Sequence, residues 1–140
     1  MINSFQNYLK AGKVKKKVPD AVEAGSLFQS AEQRLYYAKS REVTASSSNF
    51  VLEDAYEAAR EAAQALMSMQ GFKPYSHEGT ISFVREFYSS VFNEEEVSRF
   101  DYFRQLRNDS MYKVVKVEVE DAKASISFAA TFSLVPGTTV

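Results

Sequence analysis

The chain has 140 residues, of which 45% are hydrophobic, and a formal net charge of −1 at pH 7. This length suffices for one folded domain with a buried core, and the near-neutral charge excludes nucleic-acid binding through a broadly basic surface. The absence of cysteine excludes disulfides, thiolate metal sites and cysteine nucleophiles. Because no leader-like or membrane-length apolar run is evident, we expect a cytoplasmic single domain over residues 1–140, with its core at 20–134 and no membrane contact.

The first half of the chain is predicted to form one short helix and two long ones. The short amphipathic helix is predicted over residues 2–11. The first long helix begins after Asp20, which can cap its first turn together with Glu23 as in a capping box, and it ends near Ser40. The second long helix ends at Gly71, and its many alanines indicate close approach of a neighbouring helix.

Two further helices with clear start signals follow. Residues 72–77 are predicted as a connection, in which Ser76 caps the third helix. Asn93 caps the fourth helix, and the three glutamates at 94–96 lie near its positive end, which we interpret as helix-start chemistry rather than a metal site. Arg107 directly follows the apolar stripe of this helix, so we expect it to be at least partly buried.

The last segment combines two periodicities. Val115, Val117 and Val119 alternate with charged residues as in a strand, whereas the alanine-rich residues after them recur at helical spacing. A lone strand would have no partner in the chain, so we predict a helix from near Val117 to before Pro136, with a frayed tail after Gly137. The whole pattern predicts an all-α fold, an antiparallel up-and-down four-helix bundle with extra short N-terminal and C-terminal helices.

Arg107, Asn108 and Tyr112 are the candidate catalytic or ligand-binding residues. An arginine offers a planar fork of donors for phosphate or carboxylate, and the amide and hydroxyl near it add neutral hydrogen-bonding groups. On one helix the three groups can converge. Asp109 and His77 are candidates for supporting roles, with His77 either transferring protons or serving structurally as a cap or a hydrogen bond to a neighbouring helix.

Lys13, Lys15, Lys16 and Lys17 form the one local basic cluster. They represent either a solvated linker before the first long helix or a weak contact for nucleic acid, phosphate or an acidic partner. The sequence contains no Gly-rich phosphate loop, dinucleotide fingerprint or nucleophile elbow. Its single histidine excludes histidine metal clusters. We therefore predict no metal and no cofactor.

The order of these elements resembles the HEPN family of small prokaryotic helical proteins, whose name stands for higher eukaryotes and prokaryotes nucleotide-binding. No single stretch carries the resemblance, which rests on order and spacing across nearly the whole chain. The contributing stretches are residues 8–15 running into Pro19-Asp20, residues 54–66, residues 71–81 and residues 106–112.

The resemblance implies a helical bundle that pairs as a two-fold homodimer and works with a small nucleotidyltransferase, often in a toxin–antitoxin pair. Many relatives are metal-independent ribonucleases whose motif is an Arg, a polar residue and a His a few positions downstream. Arg107 matches the Arg and Asn108 the polar residue, but Tyr112 occupies the His position. His titrates near neutral pH and a phenol does not, so the departure weakens the expectation of catalysis.

Three interpretations of Arg107 remain open at the level of sequence. In the first, a weakly catalytic or non-catalytic HEPN subunit binds nucleotide, RNA or phosphate through Arg107 and Asn108. In the second, an active metal-independent ribonuclease uses Arg107 with Tyr112 or His77. In the third, Arg107 is structural and pairs with Asp54 or Glu57 of the second long helix. In some pairs the nucleotidyltransferase attaches AMP to a Tyr near this motif, so Tyr112 is also a weak candidate for modification.

Overall fold

The computed structural model describes residues 1–138, and helices dominate it. The elements in chain order are α1 (Phe5–Lys10), β1 (Val14–Lys16), α2 (Ala21–Ser40), α3 (Ser48–Gln70), β2 (Phe72–Pro74), α4 (His77–Phe87), α5 (Glu94–Tyr112), α6 (Val119–Ala130) and a short 3-10 helix, Thr131–Leu134. The all-α class is confirmed, apart from one two-stranded sheet that the sequence did not predict. The predicted frayed tail falls largely on residues 139 and 140, which lie outside the described residues.

The predicted helix boundaries that depend on local capping are confirmed. Asp20 accepts a hydrogen bond from the backbone N–H of Glu23 at 2.9 Å, which begins α2. Ser76 and Asn93 cap α4 and α5 in the same way, each at 3.0 Å. Gly71 ends α3 with a φ of 88°, a left-handed conformation that glycine adopts without steric cost.

Helix α3 lies at the centre of the fold and contacts α2, α4, α5 and α6. Most of its side chains are buried, including the large residues Leu52, Tyr56 and Leu66. Its buried alanines allow the close approach that the sequence predicted. Truncating a core leucine such as Leu66 to alanine costs about 2–5 kcal/mol in well-packed interiors. The central position of α3 means that any polar side chain on its face toward α5 is held rigidly.

The lysine-rich segment and the connection at 72–77 were predicted wrongly as irregular structure. They contain β1 and β2, which pair antiparallel with Lys15 opposite Lys73. Each strand has three residues, and β2 ends in Pro74, so neither presents the alternating apolar run that signals a strand. The pairing joins segments more than fifty residues apart in sequence, and Val14 buries its side chain beneath it.

Two helix ends also differ from their predicted positions. The third predicted helix was drawn through Val91, but α4 ends at Phe87 and a short turn follows. The last helix, α6, begins at Val119 rather than near Val117, because the residues before it form an irregular segment after α5. Val117 is nevertheless buried in the core, which explains the strand-like alternation of this segment.

Candidate functional site

An open cleft of about 280 Å³ lies between the start of α4 and the second half of α5. The structure brings Arg107, Asn108, Tyr112 and His77 to this one cleft, as their candidate roles require. Its complete lining is Ser76, His77, Glu78, Arg104, Arg107, Asn108 and Tyr112. Asp109 does not line the cleft, and its carboxylate lies 3.4 Å from the Lys113 ammonium near the end of α5.

Arg107 is held by carboxylates of α3. Its Nε and Nη2 each donate to one oxygen of Glu53 at 3.0 Å, and Nη2 lies 3.4 Å from Oε1 of Glu57. The guanidinium also lies 5.8 Å from the centre of the Tyr56 ring, within the range of a cation–π contact. The hydrogen bonds to Glu53 raise the pKa of Arg107 above its usual value although partial burial opposes this. The group is therefore a fixed cation, as expected from its position after the apolar stripe.

The carboxylate partners of Arg107 were only partly anticipated. The sequence analysis proposed Asp54 or Glu57, and the Glu57 contact is confirmed. Asp54 was wrong, because it pairs with Arg41 at 2.8 Å. The main partner, Glu53, was missed, although it lies four residues before Glu57 and therefore on the same face of α3.

Glu57 connects Arg107 to a second arginine on α3. Its carboxylate accepts hydrogen bonds from Arg60, the shorter one at 2.6 Å from Nη2. Burial alone would raise the pKa of Glu57, but the hydrogen bonds and charge of Arg60, together with Arg107, hold the pKa below its usual value. Glu57 therefore stays ionised, and both arginines keep a compensated partner.

Tyr56 and His77 form a second pair beside Arg107. The Tyr56 hydroxyl lies 2.8 Å from Nδ1 of His77, and the two rings are nearly parallel, with centroids 5.8 Å apart. Burial raises the pKa of Tyr56, so its hydroxyl keeps its proton. Burial, together with the charges of Arg60 and Arg107, lowers the pKa of His77, which favours the neutral ring. The predicted hydrogen bond from His77 to a neighbouring helix is confirmed.

The hydrogen bond fixes the tautomer of His77. Within residues 1–138, Nδ1 of His77 is the one hydrogen-bond partner of the Tyr56 hydroxyl. A buried hydroxyl donates its proton where it can, so we assign Nδ1 as the acceptor and place the imidazole proton on Nε2. Tyr56 was missed as a site residue because its position matched the buried face of α3. The available signal was its phenolic hydroxyl, which needs a partner inside a core.

Arg104 is a second cation of the cleft that the sequence analysis missed. It lies one helical turn before Arg107 on the same face of α5, and this spacing could have revealed it. Its Nε donates to Asp101 at 2.8 Å, and its Nη1 lies 4.0 Å from Glu78. The cleft therefore holds two arginines on one helix face, each oriented by carboxylates.

Asn108 and Tyr112 complete the polar lining. Both side chains are exposed, Tyr112 by 73%, and within the described part of the chain neither makes a side-chain hydrogen bond. They are therefore available to an incoming group, together with the Nη1 edge of Arg107. These donors suit an anionic or strongly accepting ligand such as a phosphate.

Metal and membrane features were sought in the same residues. Among residues 1–138, no three His, Asp or Glu side chains are grouped so that they could hold a metal ion. No helix of this range is long and apolar enough to cross a bilayer.

These features define a helical domain with a donor-rich cleft between two helix ends. The description that matches is the HEPN domain, whose family model covers residues 24–134, and the chain belongs to this family. The matched range contains α3, His77 and the whole of α5, and therefore the cleft. HEPN domains are generally associated with nucleotide or RNA binding and with ribonuclease activity. No curated protein and no solved structure matches the chain.

Proposed function

We propose that this chain is the HEPN subunit of a nucleotidyltransferase/HEPN pair of the toxin–antitoxin type. It acts as a homodimer and binds nucleotide, RNA or phosphate at the Arg107–Asn108 cleft, with little or no catalysis. The observation that carries this proposal is the convergence of Arg107, Asn108, Tyr112 and His77 on one cleft of a HEPN domain.

The ion pair with Glu53 leaves Arg107 competent to bind a ligand. The guanidinium uses Nε and Nη2 for the two carboxylates, and within residues 1–138 its Nη1 makes no hydrogen bond. A phosphate oxygen can therefore approach Nη1 while Glu53 holds the plane of the fork. Such a preoriented arginine loses less side-chain entropy on binding than a free one.

Weak catalysis follows from the groups that can move protons. Metal-free RNA cleavage needs a group that accepts or donates a proton near neutral pH, and the motif position that would supply an imidazole holds Tyr112. His77 is the other candidate, but its Nδ1 already accepts the Tyr56 hydroxyl proton. For Nε2 to act as a base, the imidazole proton would have to move to Nδ1 and the Tyr56 hydroxyl would have to turn away.

An active ribonuclease is the second candidate function, and one observation favours it. His77 lines the same cleft as Arg107, although the two lie thirty residues apart in sequence. In this version, Arg107 stabilises charge on the scissile phosphate and the imidazole transfers the proton. It predicts RNA cleavage in the presence of a chelator.

A structural role for Arg107 is the third candidate, and the bidentate pair with Glu53 favours it. The pair joins α5 to α3, so it pins the two helices whether or not a ligand binds. This role alone predicts that any folded Arg107 variant binds RNA and nucleotide as the wild type does.

Homodimer formation is supported by an apolar rim beside the cleft. We define this rim as Phe50, Met111, Val114 and Val115, whose side chains are all exposed. Val114 also has a φ of 54°, which is unusual for a β-branched residue and costs about 1–3 kcal/mol. Exposed apolar side chains grouped in this way are typical of an interaction surface. In the proposed dimer the rim meets its copy across a two-fold axis, with α2, α3, α5 and α6 as an antiparallel bundle.

The proposal is tested with purified protein and a matched pair of variants. Arg107→Ala removes the cleft arginine, whereas Arg99→Ala removes an exposed arginine of the same helix that pairs with Glu95 outside the cleft. We expect a dimer by light scattering, binding of RNA or nucleotide that Arg107→Ala abolishes and Arg99→Ala preserves, and no metal-free cleavage above background. Wild-type binding by folded Arg107→Ala would contradict the proposal, and copurification with a neighbouring-gene nucleotidyltransferase tests the partner.

A further inference from the structure

The outer face of the two-stranded sheet carries a concentrated positive charge. Lys15 and Lys73 lie directly opposite each other in the β1–β2 register. Their ammonium groups lie 5.0 and 5.4 Å from the centre of the exposed Tyr75 ring. Lys13 is adjacent, because its backbone carbonyl accepts the N–H of Tyr75 at 2.8 Å. We call Lys13, Lys15, Lys73 and Tyr75 the basic patch.

The charge of the basic patch is not compensated locally. Within residues 1–138, none of its lysines forms a salt bridge, in contrast to Lys17, which pairs with Glu23 at 3.2 Å. The chain as a whole carries a net charge of −1, so the patch is a local excess and not part of a generally basic surface. Like charges directly opposite each other destabilise a strand pair. The arrangement therefore costs stability that an anionic ligand would restore.

Protection against aggregation explains the lysines only in part. Lysines on short edge strands prevent pairing with other chains. That role does not require an exposed aromatic ring between two ammonium groups. A ring flanked by cations is the arrangement with which proteins hold single-stranded nucleic acid, where bases stack on aromatic rings and phosphates meet positive side chains.

The basic patch is continuous with the cleft. Tyr75 is followed by Ser76, which lines the cleft and caps α4. Strand β1 packs tightly on the first turn of α4 at Gly79, where a Cβ would come within 2.6 Å of the Val14 side chain. The sheet and the start of α4 are thus held together, so a strand leaving the cleft past Ser76 reaches the patch directly.

We propose that the basic patch is a binding surface for single-stranded RNA that extends the Arg107 cleft, an inference that rests on RNA occupying that cleft. The ammonium groups of Lys13, Lys15 and Lys73 contact successive phosphates. The Tyr75 ring stacks on one base. The patch supplies affinity that does not depend on base sequence, while the cleft holds the phosphate at Arg107.

The test is fluorescence anisotropy with a labelled single-stranded RNA of mixed sequence, about 12 nucleotides long, within the site sizes of single-strand-binding proteins. The patch variant is Lys15→Gln/Lys73→Gln. Its matched control is Lys39→Gln/Lys123→Gln, which removes the same charge from exposed lysines of α2 and α6. The patch substitutions relieve like-charge repulsion, so we expect both double variants to keep the wild-type melting temperature.

Each lost phosphate contact on a single strand lowers the salt slope by about 0.7, or roughly fivefold in affinity near 0.1 M salt. We therefore expect the patch variant to bind about 10- to 25-fold more weakly, with a slope smaller by about 1.4. Tyr75→Ala should weaken binding without changing the slope. Equal RNA affinities for the patch variant and the control variant overturn the inference.

The same titrations separate the patch from the cleft. RNA binding that depends on Lys15 and Lys73 but not on Arg107 supports the patch and contradicts the proposed function. RNA binding that depends on Arg107 alone supports the proposed function and overturns the patch. Wild-type protein that binds a mononucleotide but no RNA also overturns the patch. If the patch variant loses only a nucleotidyltransferase partner, the surface docks protein and the RNA inference is wrong.

Discussion

Arg107 of α5 and Glu53 of α3 form a two-bond ion pair, with both donor–acceptor distances at 3.0 Å. The pair has two effects. It ties the helix that carries the motif to the central helix of the fold, and it fixes the plane of the guanidinium so that Nη1 remains as the edge available to a ligand. Structural and ligand-binding roles for Arg107 therefore coexist in one geometry, and a variant of the partner carboxylate separates them.

Glu53→Gln should weaken the fold slightly and strengthen ligand binding. The substitution keeps the size of the side chain but removes its charge, so a phosphate no longer competes with Glu53 for Arg107. Because the pair is partly exposed, we expect a loss of about 1 kcal/mol in the free energy of unfolding. RNA or nucleotide affinity should rise severalfold, as measured by fluorescence titration.

The matched control is Glu95→Gln, which removes an exposed carboxylate that pairs with Arg99 on α5. It changes the net charge equally but lies outside the cleft. If both variants gain the same affinity, the effect is one of overall charge. If neither gains any, Arg107 does not contact the ligand.

His77 should make stability depend on pH in a window of its own. Its pKa is lowered in the folded protein, so below pH 6.5 the unfolded chain takes up a proton that the folded chain refuses. The free energy of unfolding should therefore fall as pH drops below 6.5. The slope should be well under the limit of about 1.4 kcal/mol per pH unit for one proton, because the ring is partly solvated.

His77→Gln is the variant that isolates this titration. His77 is the one histidine of the sequence, so the variant should lose the decline between pH 6.5 and about 5. At pH 7 it should lose about 1 kcal/mol because the Tyr56 hydrogen bond is altered. Denaturant unfolding across pH measures both effects. An unchanged pH profile in the variant would show that His77 titrates normally.

Gly79→Ala should destabilise the protein although alanine is the better helix former. An added Cβ would lie 2.6 Å from Cγ2 of Val14 and 3.1 Å from the backbone oxygen of Lys13, so β1 would have to move away from α4. Overpacking of this kind costs about 1–3 kcal/mol, which outweighs a propensity gain of about 1 kcal/mol. We expect a net loss of about 1–2 kcal/mol in denaturant unfolding.

Gly25→Ala provides the opposite case on α2. No atom lies within 4 Å of the position where its Cβ would be placed, so only helix propensity changes. This variant should gain about 0.5–1 kcal/mol. A stabilised Gly79→Ala variant would mean that β1 does not pack closely on α4, and the continuity of the basic patch with the cleft would lose its support.

The features that were predicted correctly are those written in local sequence. The caps at Asp20, Ser76 and Asn93 each depend on a hydrogen bond that spans three residues, so a short window of sequence contains both partners. Gly71 likewise ends α3 through its own backbone conformation. Such signals survive folding because the tertiary structure does not compete for the groups involved.

The features that were missed depend on how separate elements face each other. Glu53 and Asp54 are neighbours in sequence but lie about 100° apart around a helix, so one reaches Arg107 and the other reaches Arg41. The packing angle of α5 on α3 decides between them, and no local pattern records it. The same reasoning applies to β1 and β2, whose pairing across more than fifty residues turns an ordinary lysine cluster into the face of a sheet.

Tyr112→His should introduce metal-independent RNA cleavage. The variant places an imidazole at the motif position, in the cleft that contains Arg107 and Asn108. Tyr112 is 73% exposed and makes no side-chain hydrogen bond within residues 1–138, so its replacement should leave stability within about 0.5 kcal/mol of the wild type. An imidazole titrates near neutral pH and can transfer a proton in the cleavage step.

The expected gain is about 10²- to 10⁴-fold over the wild type, the usual contribution of a positioned acid or base, measured as RNA cleavage in the presence of a chelator. Adding Arg107→Ala to Tyr112→His should remove the gained activity, because the arginine stabilises charge on the phosphate. The control is Tyr102→His, an exposed tyrosine of the same helix whose hydroxyl donates to Asp121 outside the cleft. If Tyr112→His is folded and dimeric but no more active than Tyr102→His, the identity of residue 112 does not limit catalysis. In that case the hydrogen bond that commits Nδ1 of His77 to Tyr56 becomes the next cause to test.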